Sequence, residues 1–150
     1  MMLTSATVVW AQPSNGYIFF SPGGVTCCGH TEATLQFGGG GEAVLGKGIG
    51  IGAELSALGL SSAFPDSVVG MFSPNGYYHF IHGKDHGLDP FVTGGYTLMF
   101  RSGVANLFNF GGGINYRFRR HLGIRLEFRD HVRMDPVTIH HWGFRVGLVL

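Results

Sequence analysis

From Tyr17 to the last residue the chain keeps a hydrophobic period of two, the spacing of a strand whose two faces meet different surroundings. Trp142, Phe144, Val146, Leu148 and Leu150 alternate with Gly143, Arg145, Gly147 and Val149. Before them Leu122, Ile124, Leu126 and Phe128 alternate with Gly123, Arg125, Glu127 and Arg129. Phe108, Phe110, Ile114, Tyr116 and Phe118 repeat the plan against Asn109, Gly111, Gly113, Asn115 and Arg117. Nearer the start, Leu35, Phe37, Ala43 and Leu45 oppose Gln36, Gly38, Gly40 and Glu42, and Ile49, Ile51, Ala53 and Leu55 oppose Gly50, Gly52, Glu54 and Ser56. With the weaker segments Tyr17 to Ser21, Val68 to Ile81 and Pro90 to Phe100, the pattern predicts eight strands. Most reach the about 9 to 11 residues that cross a bilayer when tilted. The first is short.

The connections alternate in character. Gly46-Lys47-Gly48, His82 to Leu88 and Arg119-Arg120-His121 are brief and basic, whereas Pro22 to His30, Ser61 to Ser67, Arg101 to Leu107 and Arg133 to Ile139 read as longer or less regular connections. One rim of short turns and one of longer loops is the plan of an all-β, eight-stranded antiparallel up-and-down transmembrane β-barrel. Pro74-Asn75-Gly76 interrupts the fourth strand, because proline cannot donate to the ladder and Asn-Gly favours a hairpin. A split there leaves two strands too short to span and an odd total, so the expectation is one strand with a bulge.

Composition narrows the reading. Of 150 residues 26 are Gly, 13 are Phe and only 13% are charged, against about 25% charged and about 7% Gly in an ordinary soluble domain. A net charge of +1 gives no reason to expect nucleic acid as a partner. The polar parity is mostly Gly, Asn and Thr, which suits a narrow filled lumen better than the densely charged outside of a soluble barrel. Tyr77, Tyr78, Phe80, Tyr116 and Phe118 gather toward the short-turn rim and Phe100, Phe108 and Trp142 toward the other, as interfacial girdles do. The alternative with the same alternation is a soluble or periplasmic lipocalin-like barrel, its apolar face turned inward around a hydrophobic ligand.

Three runs carry a family resemblance: Gly111-Gly112-Gly113-Ile114-Asn115-Tyr116-Arg117-Phe118, then His121-Leu122-Gly123-Ile124-Arg125-Leu126-Glu127-Phe128-Arg129-Asp130, then His141-Trp142-Gly143-Phe144-Arg145-Val146-Gly147-Leu148. Together they resemble the small eight-stranded outer-membrane barrels of the OmpA type. The resemblance implies residence in a bacterial outer membrane, contact with its lipid, and recognition by the barrel-assembly machinery during insertion. Members of that family usually end in an aromatic residue, and this sequence ends in Leu150. Met1 to Ala11 reads as the tail of a secretory signal without its basic start, with residues 12–150 forming the barrel domain.

Candidate chemistry is sparse. Gly41 to Lys47 matches most of a phosphate-binding loop, but Gly48 stands where Ser or Thr holds the magnesium and a strand follows instead of a helix. Cys27, Cys28 and His30 together with His131, His140 and His141 offer soft metal ligands, although the spacing matches no standard site and a vicinal disulfide or two plain thiols fits better. No cofactor and no catalytic set is called for. The informative residues are the charges on the polar parity: Glu42, Glu54, Arg117, Arg125, Glu127, Arg129 and Arg145. In an eight-stranded barrel they meet in an interior just wide enough for side chains. The expectation is a monomeric outer-membrane protein with a structural or surface-interaction role, its lumen plugged by an Arg/Glu network and at most a minor ion conductance.

Overall fold

A computed structural model describes residues 14–81 and 87–150. Its strands are β1 (Asn15–Cys27), β2 (His30–Gly46), β3 (Ile49–Leu60), β4 (Val69–His79), β5 (Gly87–Phe100), β6 (Val104–Arg119), β7 (Leu122–Arg133) and β8 (Ile139–Val149). Each pairs antiparallel with the next, and β8 pairs with β1, from Tyr17↔Val149 to Thr26↔His140, so the sheet closes on itself. Closure leaves no edge, and every strand finds ladder partners on both sides. That is the condition for a β-structure to survive in hydrocarbon, where no water is available to unpaired backbone groups. The segment read as a signal tail lies outside the described residues.

Two rims result. The rim carrying Asn15 and Leu150 has the two-residue turns Lys47-Gly48 and Arg120-His121, and most of the β4–β5 connection, residues 82–86, lies outside the described residues. The opposite rim is tighter than the sequence pattern implies. β1 does not end at Ser21 but runs to Cys27, and its connection to β2 is the pair Cys28-Gly29 with φ of 57° and 82°. Positive φ at both central residues is the geometry that matches the twist of a hairpin. Arg101 to Leu107 likewise shortens to the three residues Arg101–Gly103. Only two connections there have any extent. Residues 134–138 form one, and residues 61–68 form the other, which begins with a single 3-10 turn at Ser61–Ala63 and sets the Phe64 ring edge-on to Phe37 at 6.3 Å.

The sequence hides the length of β1 because a proline stands inside it. Pro22 pairs with Leu35 on β2, while on the other side the ladder passes from Phe20↔Val146 directly to Gly23↔Gly143. β4 repeats this arrangement: Pro74 pairs with Ala53, and the β5 ladder passes from Phe72↔Leu98 to Asn75↔Gly95. The register is the same before and after each gap, so Pro74 sits in an unbroken strand and the expected bulge is absent there. A proline lacking its N–H loosens the ladder on one side only. In β4 a side-chain bond, Ser73 Oγ to Thr97 Oγ1 at 2.8 Å, spans the opening. Bulges occur instead at Val44/Gly46 and Arg117/Arg119, beside the short turns.

Burial decides which face is which. Ile51, Leu55, Phe110, Leu126, Phe144 and Val146 all lie on the outward parity and are more than half exposed, whereas Glu42, Glu54, Arg125, Glu127, Arg129 and Arg145 are each at most 5% exposed. A soluble ligand carrier needs the reverse arrangement, so the lipocalin-like alternative fails on geometry. The outer wall is apolar and aromatic, with contacts such as Phe128 to Phe144 at 5.2 Å and Tyr96 to Phe108 at 5.7 Å. Tyr78, Phe80, Tyr116 and Phe118 face outward near the terminal rim. Tyr77 does not join that girdle. As the neighbour of Tyr78 on a strand it must point the other way, and it is 4% exposed inside the barrel.

Candidate functional site: the charged lumen

The lumen is filled by side chains projected from all eight strands, and the inward glycines make the room. Gly113 is the clearest case: a Cβ there would stand 2.2 Å from the Leu126 carbonyl oxygen of β7. With glycine at that inward position of β6, the long side chains of the neighbouring row on β7 can fold across the interior. Arg125, Glu127 and Arg129 form that row.

Glu127 sits between the two arginines. Arg125 Nε donates to Glu127 Oε2 at 2.9 Å, and Arg129 Nε donates to Oε1. The β7–β8 register puts Arg145 directly opposite Glu127, with Arg145 Nη1 3.7 Å from Oε1. Arg145 then reaches across the barrel to Glu54 of β3, its Nη1 lying 2.9 Å and 2.8 Å from the two carboxylate oxygens. Glu42 of β2 accepts from Arg125 Nη1 at 3.5 Å. The structure thus gathers six of the seven charges that the sequence places on the inward parity into one ion-pair cluster. Arg117 stands apart at the terminal rim opposite Gly123, where its Nε has no hydrogen-bond partner among the described residues.

Several participants escape a search for charge on the polar parity of clear strands. His79 places Nδ1 2.8 Å from Asp89 Oδ2 of β5 and its Nε2 against Glu42 Oε1. His79 belongs to the weakly patterned fourth segment, where Pro74 obscures the parity that marks it as inward, and Asp89 lies just outside the fifth segment read as Pro90 to Phe100, because β5 begins earlier, at Gly87. Tyr17 donates to Glu54 Oε2 at 3.1 Å and lies 2.9 Å from the Tyr77 hydroxyl. Aromatic faces hold the cations as well: Arg125 Cζ is 4.0 Å from the Phe91 ring centroid and 4.4 Å from that of Tyr17, and Arg145 Cζ is 4.2 Å from that of Phe19.

Toward the loop rim the network becomes neutral. Asn109 accepts from Arg129 Nη1 at 3.1 Å and donates to Asn75 Oδ1 at 2.9 Å and Thr97 Oγ1 at 3.0 Å. His131, grouped with the loop cysteines by sequence, points into this layer instead. Its Nε2 lies 3.1 Å from Arg145 Nη2, and since arginine only donates, that nitrogen is the acceptor. Its Nδ1–H then donates to Thr97 Oγ1 at 3.0 Å. Cys27 and Cys28 are joined to each other, and His140 holds Asp130 at 2.7 Å. Among the described residues no three Cys, His, Asp or Glu side chains converge as metal ligands.

A closed antiparallel ring of eight strands with an apolar wall and a charged, filled interior defines an eight-stranded transmembrane β-barrel of the outer-membrane type. Solved structures of such barrels match the chain over nearly its whole length. The N-terminal β-barrel domain of Pseudomonas aeruginosa OprF aligns at 17% identity over 93% of this chain and 99% of its own, with a TM-score of 0.64. Neisserial surface protein A aligns at 8% identity over 93% and 97%, with a TM-score of 0.76. Ail, the attachment invasion locus protein of Yersinia pestis, solved with the heparin analogue sucrose octasulfate, aligns at 12% identity over 91% and 97%, with a TM-score of 0.56. No protein-family model matches the sequence, and no curated protein does either.

Proposed function

We propose that the protein resides in a bacterial outer membrane as a monomeric barrel with a structural or surface-interaction role, inserted by the barrel-assembly machinery and closed to general solute passage by its Arg/Glu plug. The observation that carries this reading is the inversion of burial: paired charges fill the inside while Phe, Leu, Ile and Val cover the outside. An ion-pair cluster of this kind is a plug because each guanidinium is held from more than one side. Removing it from the lumen would strip compensated charges of their partners at a cost of several kcal/mol. The surface role falls to the rim that carries residues 61–68 and 134–138, where Phe64, Val104, Met134 and Val137 are exposed.

Purified protein in a planar lipid bilayer tests the plug. The expected record is closed for most of the time with brief small openings at neutral pH. A steady conductance of porin size overturns the plugged lumen, and a monodisperse detergent-free monomer in buffer overturns the membrane assignment.

A further inference from the structure

We infer that Glu42, His79 and Asp89 form a proton-operated latch controlling a small ion path through the lumen. The inference rests on the plugged-lumen reading and adds its regulation.

His79, the last residue of β4, is 3% exposed and has a carboxylate against each ring nitrogen. Asp89 of β5 lies 2.8 Å and 3.0 Å from Nδ1, and Glu42 of β2 contacts Nε2. An ionised carboxylate only accepts hydrogen bonds, and a neutral imidazole has one N–H. Two ionised carboxylates around a neutral ring would set a nitrogen lone pair against an oxygen lone pair in a dry site. The triad is therefore complete only with one further proton. Among the described groups in ion-pair contact the charges agree, for Glu42, Glu54, Asp89 and Glu127 are four carboxylates against the three arginines Arg125, Arg129 and Arg145, while Arg117 makes no ion pair. That same proton balances the cluster.

Among the described residues, no cation other than Arg125 is in ion-pair contact with the triad. On β4 the Tyr77 ring stacks over His79 at 6.5 Å, and on β5 Phe91 lies at 5.8 Å. β6 contributes Asn115, which donates to Asp89 at 3.2 Å, and Arg117 nearer the rim. β7 contributes Arg125, already shared between Glu42 and Glu127. β1 contributes Tyr17, whose ring faces Arg125, and β3 brings Gly50 beside Glu42. The side chain of Asp89 is 17% exposed while that of Glu42 is 1%, so the proton exchanges with the rim through Asp89. Loss of the proton releases a tie that runs from β4 both to β5 and across β3 to β2, and the mouth at the terminal rim opens.

The test is conductance of the full chain in a planar bilayer, scanned from about pH 5 to about pH 9. The wild type is expected to pass little current at the acidic end and severalfold more at the alkaline end. His79→Gln, which offers a donor to only one carboxylate, should conduct at the alkaline level throughout. Glu42→Gln acts in the opposite direction. Its amide donates to the ring nitrogen without the extra proton, so this variant should stay closed at both ends of the scan. Should His79→Gln fail to fold, Glu42→Gln carries the test alone. A small conductance that does not vary with pH in the wild type overturns the latch and leaves the plug standing. A large conductance at every pH overturns the plug itself.

Discussion

Arg145 on β8 and Glu54 on β3, on strands that are not neighbours in the sheet, meet across the lumen with Arg145 Nη1 2.8 Å and 2.9 Å from the two carboxylate oxygens. Both are at most 2% exposed, so this pair spans the barrel interior instead of decorating its wall. Sheet hydrogen bonds fix only adjacent strands. A cross-lumen ion pair ties opposite walls, and it does so where the low dielectric leaves no cheap alternative partner.

The centre of that cluster is Glu127, held by Arg125, Arg129 and Arg145. Glu127→Ala leaves three buried guanidinium groups short of one carboxylate and is expected to destabilise the barrel by about 3 to 5 kcal/mol. Urea unfolding in lipid vesicles measures this, and single-channel conductance should rise in the same variant. Lys47→Asn, at an exposed turn position with φ 52° that asparagine tolerates, should change neither. Equal and negligible effects from both would mean that the charged row faces bulk water.

The wall is tested at Leu126 and Val146, which face each other across the β7–β8 register and are 52% and 54% exposed. Arg at either position should cost about 2 to 4 kcal/mol at the bilayer midplane. The wild type should migrate faster on a gel unheated than boiled, and the variants should lose that folded band at lower denaturant. Wild-type stability in both variants would put water, not lipid, against this face.

Gly113→Ala drives a methyl group toward the Leu126 carbonyl oxygen, whereas Gly16→Ala meets nothing within 4 Å. Backbone cannot swing away as a side chain can. The first substitution is expected to cost about 1 to 3 kcal/mol and the second close to nothing. Equal unfolding midpoints for the two would show that β6 and β7 approach less closely than described.

Replacing both Cys27 and Cys28 with Ser should leave unfolding within about 0.5 kcal/mol of the wild type. Their bond closes no long loop, and the turn is held by the register Cys27↔His30 and by the positive φ at residues 28 and 29. Bound zinc or copper that disappears in the double variant would instead show a metal role for this turn.

Alternation made the strands legible. A period of two identifies a wall between unlike surroundings, and it placed Arg125, Glu127, Arg129 and Arg145 on one side and Leu126, Phe128 and Val146 on the other. The same rule faltered where prolines stand. Pro22 made the end of β1 look like a loop, and Pro74 masked β4, so that Tyr77 was grouped with Tyr78 although neighbours on a strand face opposite ways. His79 was lost with them.

By itself the sequence determined eight strands, the two faces of each, and the kinds of residue on each face, because side-chain direction along a strand is a local property of the chain. Only the tertiary structure decided which inward residues meet. Glu54 and Arg145 are 91 residues apart and lie on opposite walls. Their contact follows from the register of every intervening pair and from the closure of β8 on β1. Those staggers set the height of each row in the ring, and a shift of one strand would give every buried charge a different partner.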